Sequence, residues 1–232
     1  MNVVYEYVKD FCSLFFPELC AGCHTDLVKN EHVICTGCLY NLPYTDFHLD
    51  SGNLAAKQLY GRVPFVSCSS FLNFTKGSKV QNLMHALKYK NRQDVGLKLG
   101  EMYGRALLKS DSLKSADLIA SVPLHLGKLR KRGYNQSDCF AEGLSNSLQI
   151  TFDKTLLIRK VNTDTQTHKS RFERFENMKE IFAVKEPQKI LGKHIILVDD
   201  VLTTGATLEA CALELLKTSG VKVSIATIAY TN

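Results

Sequence analysis

Four apolar residues in a row, Ile195, Ile196, Leu197 and Val198, run directly into two carboxylates, Asp199 and Asp200. A run without polar alternation is the pattern of a strand buried on both faces. Val201 and Leu202 then lead into Thr203, Thr204, Gly205, Ala206 and Thr207. Behind them Leu208, Cys211, Ala212, Leu215 and Leu216 recur at helical spacing. The spacing predicts a helix over 208–219, with Gly220 as its stop. A strand, a Gly/Thr turn and a helix N-terminus together make an anion site. The first helical amides lack partners, the helix dipole favours negative charge, and Gly205 lets the backbone come close. The threonine hydroxyls add donors. Two acids at a strand end can accept hydrogen bonds from vicinal hydroxyls, so a ligand with a ribose diol and a phosphate fits. The alternative is an ordinary strand-to-helix turn with an acidic cap.

A strand buried on both faces needs helices on both sides of its sheet, and the rest of the chain supplies them. Pro64–Phe74 reads as a strand or hairpin. Val80, Leu83, Met84 and Leu87 share one helical face, and a second helix is expected from Val95 to Leu108. Leu118–Val122 reads as a short buried strand. Asn135–Leu148 reads as an amphipathic helix with Phe140, Ala141, Leu144 and Leu148 inward, Leu156–Ile158 as a short strand, and Val223–Ala229 as another strand. Alternating strands and helices predict an α/β fold with a mostly parallel sheet covered by helices on both faces. Ligands of such sheets bind outside the carboxyl ends of the strands.

With 232 residues the chain can build one sizeable core and a small appendage. No apolar run reaches about 18 residues, so no membrane span is expected. Glu6, Lys9 and Asp10 interrupt the N-terminal aromatics, which argues against a signal peptide and for a cytoplasmic location. The net charge of +6 is compatible with an anionic ligand but is too mild to establish nucleic-acid binding.

Cys20 and Cys23 form one CxxC pair, and Cys35 and Cys38 a second, separated from the first by eleven residues. Two such turns can present four thiolates tetrahedrally, the design of a structural Zn²⁺ site in a zinc-ribbon-like module. Redox pairs or buried free thiols are the alternatives. Gly22 and Gly37 sit where such turns often need a left-handed residue. His24 and His32 lie nearby and read as bystanders. Cys12, Cys68, Cys139 and Cys211 lie in apolar contexts and read as small core residues. Val4, Val8, Phe11 and Phe15 predict a short helix ahead of the metal site. The expected organisation is a helix and zinc module over 1–45, a polar, glycine-containing connector over 46–62, and the α/β domain over 63–232.

A second informative stretch, Ser121–Gln136, follows a predicted strand. It carries Lys128, Arg130, Lys131 and Arg132 and no acid. It reads as a loop facing the same sheet edge as the acid pair, where a concentrated anion such as pyrophosphate would need charge-assisted donors and a neutralising metal. Taken alone, it could equally be a solvated basic loop.

The stretch from Ile195 to Thr207 resembles the phosphoribosyl-pyrophosphate (PRPP) motif of type I phosphoribosyltransferases. That resemblance implies Asp199 and Asp200 on the ribose hydroxyls and Val201, Leu202, Thr203, Thr204, Gly205, Ala206 and Thr207 around the 5-phosphate. Val-Pro-Leu-His at 122–125, with a basic run and Arg-Gly-Tyr-Asn-Gln at 132–136, is similar to the signature of the ComF family of competence proteins. Members of that family join a four-cysteine zinc element to a phosphoribosyltransferase-like domain. Thr163, Gln166, Arg174, Asn177 and Phe182 match a further ComF pattern, and Leu87-Lys88-Tyr89-Lys90 resembles another ComF segment, with a solvated helix end as its alternative. Leu126 and Gly127 stand where the family often has Pro and Arg.

The resemblance implies pyrophosphate binding by Pro123, Leu124, Lys128 and Arg132. It also implies a flap containing Gln166, Arg171, Arg174 and Asn177. It further implies PRPP, or a related ribose phosphate, bound with Mg²⁺, and transfer of phosphoribosyl to an unknown acceptor in a process linked to DNA uptake. A non-catalytic, nucleotide-sensing factor that handles single-stranded DNA with the uptake machinery is the alternative. A nucleobase salvage enzyme fits less well, because such enzymes do not need a zinc module.

Overall fold

Strand β6 (His194–Leu202) forms the middle of a five-stranded sheet. The other strands are β1 (Cys68–Asn73), β2 (Leu118–Ser121), β3 (Thr151–Phe152) and β7 (Lys222–Tyr230), in the spatial order β1-β7-β6-β2-β3. Every pairing in this sheet is parallel. The computed structural model describes residues 17–113, 115–160 and 181–231.

Alternate residues of β6 enter different cores, as a strand buried on both faces requires. Ile196 and Val198 meet one core together with Leu83, Leu99, Tyr103 and Phe140. Ile195 and Leu197 meet the other with Leu59, Leu208 and Leu215. The first face carries α3 (Lys79–Tyr89), α4 (Gln93–Leu107) and α6 (Gln136–Leu148), and the second carries α2 (Leu54–Leu59) and α7 (Ala206–Leu216). Helices α4 and α6 touch backbone to backbone. A Cβ on Gly100 would lie 2.2 Å from the Phe140 carbonyl oxygen, and one on Gly143 2.2 Å from that of Leu97. Only glycine permits that approach.

Four local expectations change. The acid pair lies within β6 and not beyond its end, because pairing with β7 continues to Leu202↔Tyr230. The basic stretch is not a loop. Leu126–Arg132 is a short helix, α5, capped at its start by the His125 ring, which accepts a hydrogen bond from the Gly127 amide at 3.1 Å, and ended by Gly133 at φ 80°. The strand near residue 157, β4 (Leu157–Arg159), does not join the main sheet. It pairs antiparallel with β5 (Phe182–Val184). Helix α7 begins at Ala206, two residues ahead of the expected start.

The N-terminal cysteine segment, with helix α1 (Thr36–Tyr40), packs into the first core. Cys20, Ala21, Ile34, Cys38 and Leu42 join Val80, Leu83 and Met84. From there the chain runs beside β1, where the Asn73 amide donates to the Pro43 carbonyl at 2.9 Å and the Thr45 amide to that of Phe71 at 3.1 Å. The stretch read as a connector holds a 3₁₀ turn (Phe47–Leu49) and α2. Asn53 caps α2 by accepting from the Ala56 amide and anchors it by donating to the Cys68 carbonyl at 2.8 Å. Ala55, Ala56 and Leu59 are fully buried. The expected helix of Val4, Val8, Phe11 and Phe15 and the flap residues Gln166, Arg171, Arg174 and Asn177 lie outside the described residues. Among the described residues, no helix is long and apolar enough to cross a membrane.

Candidate functional site

Strand β2 ends at Ser121, opposite Val198, whereas β7 follows β6 to its last residue. From Asp199 onward β6 is therefore paired on one side and open on the other. The chain after β2 leads toward β3 at one end of the sheet, and the chain after β6 leads back to β7 on the other side. This divergence is a topological switch point, where parallel sheets place ligands. A cleft of about 310 Å³ lies there.

Asp199, Asp200, Val201, Thr203 and Thr207 line this cleft, and so do Pro123, Leu124, Lys128 and Arg132. The fold thus brings together two motifs some 70 residues apart in sequence. Leu202 is buried in the second core, and Thr204, Gly205 and Ala206 form the turn behind the lining. Lys88, Val122, His125, Asn135, Gln136, Ser137 and Arg159 complete the wall. Val122, His125, Asn135 and Gln136 lay inside a recognised motif, Lys88 lay in a segment with two readings, and Ser137 and Arg159 carried no signal.

Asp199 accepts hydrogen bonds from the Ser137 hydroxyl at 2.9 Å and from the Asp200 amide at 2.8 Å. Burial, reinforced by the Asp200 charge, pushes its carboxyl up to about 7. Asp200 pairs with Lys88 Nζ at 2.9 Å. Asn135 caps α6 and donates to the Val122 carbonyl and to Asp138, which also accepts from the Ser121 hydroxyl at 2.6 Å. These bonds tie the end of β2 to the start of α6 and fix that wall of the cleft.

The loop after β6 is held from behind by α2 and the residues that follow it. Gln58 donates its side-chain amide to the Thr203 carbonyl. Arg62 donates to the Thr204 carbonyl at 2.7 Å and pairs with Glu209 at 2.5 Å. Gly205 has φ 74°, a left-handed conformation that L side chains rarely adopt. The stretch assigned to a connector thus supplies the support of the turn.

Positive charge is concentrated on the facing wall. The Arg132 guanidinium donates to Gln136 Oε1 at 2.6 Å and lies 5.3 Å from the centre of the Tyr89 ring. A neighbouring cavity of about 430 Å³ shares His125 and Arg159 with the cleft and adds Leu126, Gly127, Arg130, Lys160 and Ile181. Carboxylates on one wall and cations on the other suit a ligand with hydroxyls at one end and dense negative charge at the other.

The four cysteines cluster as the spacing predicts. The sulfurs of Cys20, Cys23, Cys35 and Cys38 all lie within 4.8 Å of one another. Cys23 and Cys35 are 3.7 Å apart, close to the edge of about 3.8 Å that a tetrahedron with Zn–S of about 2.3 Å has. The sulfurs also accept backbone N–H bonds, from Gly22 and Cys35 to Cys20 and from Cys38 to Cys35. The Thr25 hydroxyl, 3.0 Å from Cys23, lowers that thiol to about 6, and burial raises Cys38. The cluster can hold a metal ion. Neither Gly22 nor Gly37 is left-handed. That conformation falls to His24 (φ 63°) and Val33 (φ 66°). Gly22 is needed instead for space, since a Cβ there would lie 3.2 Å from Cys38 Sγ. Cys68, Cys139 and Cys211 are buried in the two cores.

Residues 136–232 match the model of the phosphoribosyl transferase domain family. The chain is 33% identical over 227 residues to the DNA utilization protein YhgH of Salmonella typhi, covering 91% of this chain and 96% of that protein. It is 29% identical over 210 residues to the protein of the same name from Escherichia coli strain K12, covering 89% and 88%. Competence protein F of Haemophilus influenzae is 26% identical over 222 residues, covering 90% and 94%. The likeness covers about nine-tenths of the chain and so extends well N-terminal to the transferase domain. On these grounds the chain belongs to the ComF family, the family of DNA utilization protein YhgH and competence protein F.

Proposed function

We propose that this protein binds PRPP with Mg²⁺ and transfers its phosphoribosyl group to an acceptor, in the service of DNA uptake and use. One observation carries the reading. The acid pair, the threonine turn and the cationic face of α5 line a single cleft. Asp199 and Asp200 take the ribose hydroxyls. Thr203, Thr207 and the first amides of α7 take the 5-phosphate. Pro123, Leu124, Lys128 and Arg132 border the pyrophosphate. Mg²⁺, carried in with the pyrophosphate, supplies further positive charge to the leaving group. In the transfer, the bond from C1 to the pyrophosphate oxygen breaks with its electron pair on pyrophosphate, and the acceptor forms the new bond to C1. The contribution of these residues is orientation and stabilisation of the departing charge.

Zn²⁺ at Cys20, Cys23, Cys35 and Cys38 has a structural role in this reading, since four thiolates leave no open position for chemistry. The names of the relatives support a link to incoming DNA. A second reading, a non-catalytic factor that handles single-stranded DNA, draws on Arg130 and Lys160, which line the neighbouring cavity and not the cleft.

Calorimetric titration with Mg²⁺–PRPP tests the proposal. Asp199→Ala combined with Asp200→Ala should abolish binding in a protein that still melts cooperatively. Unchanged affinity would refute the site. Pyrophosphate release on addition of candidate acceptors separates transfer from binding alone.

A further inference from the structure

Lys88 stands outside everything the transferase-domain match covers, yet it reaches the acid pair. It lies in the last turn of α3, where a cation is favoured by the helix dipole. The Tyr134 hydroxyl donates to the neighbouring Leu87 carbonyl and pins that helix end to the segment joining α5 and α6. Tyr89, the next residue, lies beneath the Arg132 guanidinium. The end of α3 is thus held against the cationic wall, while Lys88 Nζ crosses to Asp200 Oδ2 at 2.9 Å. Both side chains are about four-fifths buried, with exposures of 22% and 18%. Among the described residues Asp200 is the ion-pair partner shown for Lys88.

An ammonium has three N–H donors and no acceptor, so one carboxylate oxygen leaves it with further donors facing the cleft. An enclosed ammonium needs a counter-anion near it. Ribose hydroxyls on Asp200 would compete with Lys88 for that carboxylate. An anion arriving along the Arg132 wall would give the ammonium new oxygens.

We propose that Lys88 is a pyrophosphate-contacting residue that neutralises Asp200 in the free protein and turns to the pyrophosphate oxygens when the sugar engages Asp200. The proposal rests on the PRPP reading above and adds to it a residue from outside the transferase-domain match. A lysine suits this exchange better than an arginine, because its charge is compact and its stem flexible, whereas a guanidinium fixes a planar fork.

The test compares Lys88→Met, Lys88→Gln and Lys88→Arg with the parent chain, using PRPP and ribose 5-phosphate as separate probes in the presence of Mg²⁺. Lys88→Met should weaken PRPP binding at least tenfold and leave ribose 5-phosphate within about threefold, with Lys88→Arg in between. Lys88→Gln serves if the methionine variant does not fold. Carboxyl ¹³C titration of the ligand-free protein should show the acid pair ionising at higher pH in Lys88→Met, since a neighbouring cation is lost. Among the described residues, the other basic side chains lining that cleft are Lys128, Arg132, Arg159 and His125, and all four remain in every variant. Parent-like PRPP affinity in Lys88→Met would overturn the proposal and leave the PRPP reading standing. Equal losses for both probes would also overturn it, by assigning Lys88 to the geometry of Asp200 alone. Absence of PRPP binding by the parent chain would instead overturn the underlying reading.

Discussion

A Cβ on Gly205 would sit 2.6 Å from Cδ2 of Leu59. The turn that precedes α7 is therefore seated directly on α2, and its glycine is required twice, by φ 74° and by this contact. Gly205→Ala must distort one partner or the other. The expected cost is about 1–3 kcal/mol, the range of an imposed unfavourable backbone conformation. Urea unfolding checks it, and Leu59→Ala in the same chain should recover part of the loss by opening space.

Arg62 is expected to matter to ligand binding without touching the ligand. It bridges the Thr204 carbonyl and Glu209, and a third of its side chain is exposed. Arg62→Ala should cost only about 1 kcal/mol of stability, in line with a partly exposed pair. It should nevertheless lower Mg²⁺–PRPP affinity by roughly tenfold, because the turn loses its brace. Calorimetry on Arg62→Ala and Arg62→Lys checks this, with Arg62→Lys failing to restore the two-sided contact.

Asp199 makes stability depend on pH in a stated direction. Its carboxyl is raised to about 7 by burial and by Asp200, whereas an aspartate in an unfolded chain titrates near 4. Between about pH 4 and pH 7 the folded chain holds a proton that the unfolded chain has released, so this group's contribution falls as pH rises through that window. Asp199→Asn removes the effect. Relative to the parent, the variant's unfolding free energy should rise by an amount on the order of 1–3 kcal/mol between pH 5 and pH 8, with a correspondingly larger lead in melting temperature at pH 8. Equal melting of the two proteins at both pH values would contradict the assignment.

The cysteine cluster should hold one zinc ion per chain, measurable by elemental analysis of protein purified without added metal. Cys20 and Cys38 share the first core with Leu83 and Met84, and the Asn82 amide donates to the Gly22 carbonyl at 2.8 Å. Loss of metal should therefore be felt beyond the module. Cys35→Ser with Cys38→Ser should abolish zinc retention and lower the melting temperature of the whole chain, because metal binding free energy is folding free energy.

Single-stranded DNA, if bound through Lys128, Arg130, Lys131 and Arg132, should release counterions in proportion to its phosphate contacts. Four contacts on a single strand imply about a fifty-fold loss of affinity between roughly 50 and 200 mM salt. Lys128 and Arg132 line the cleft, so PRPP should compete with the DNA. Fluorescence anisotropy of a labelled oligonucleotide reads both effects.

The central strand, the turn glycine and the cysteine tetrad were legible in the sequence because each rests on local pattern: an unbroken apolar run, a residue class with unusual backbone freedom, and a fixed spacing of soft ligands. Helix α2 was not legible. Its Leu54–Leu59 core is six residues long, flanked by Asn53 and Gly61, and its buried face is small (Ala55, Ala56, Leu59). Polarity counts such a stretch as a link, although Asn53 anchors it to the Cys68 carbonyl. Arg159 carried no signal, and Lys88 only a segment resemblance with a solvated helix end as its alternative. Each comes from an element remote in sequence from the acid pair, and only the three-dimensional arrangement carries them to the cleft. Helix α5 was missed because it is seven residues long with no buried face, and its N-cap is a ring nitrogen, that of His125.

The pairing of β1 with β7 sets a timetable for synthesis. Ser70 and Thr227, which share a hydrogen bond across these strands, are 157 residues apart. Until that late strand emerges from the ribosome, β1 has no partner on the side that β7 will occupy, and the apolar surface around it stays uncovered. The cysteine segment emerges early, and its Cys20, Ala21, Ile34 and Cys38 belong to the same core as Phe71 and Leu72 of β1, so it can cover part of the surface that would otherwise attract neighbouring nascent chains.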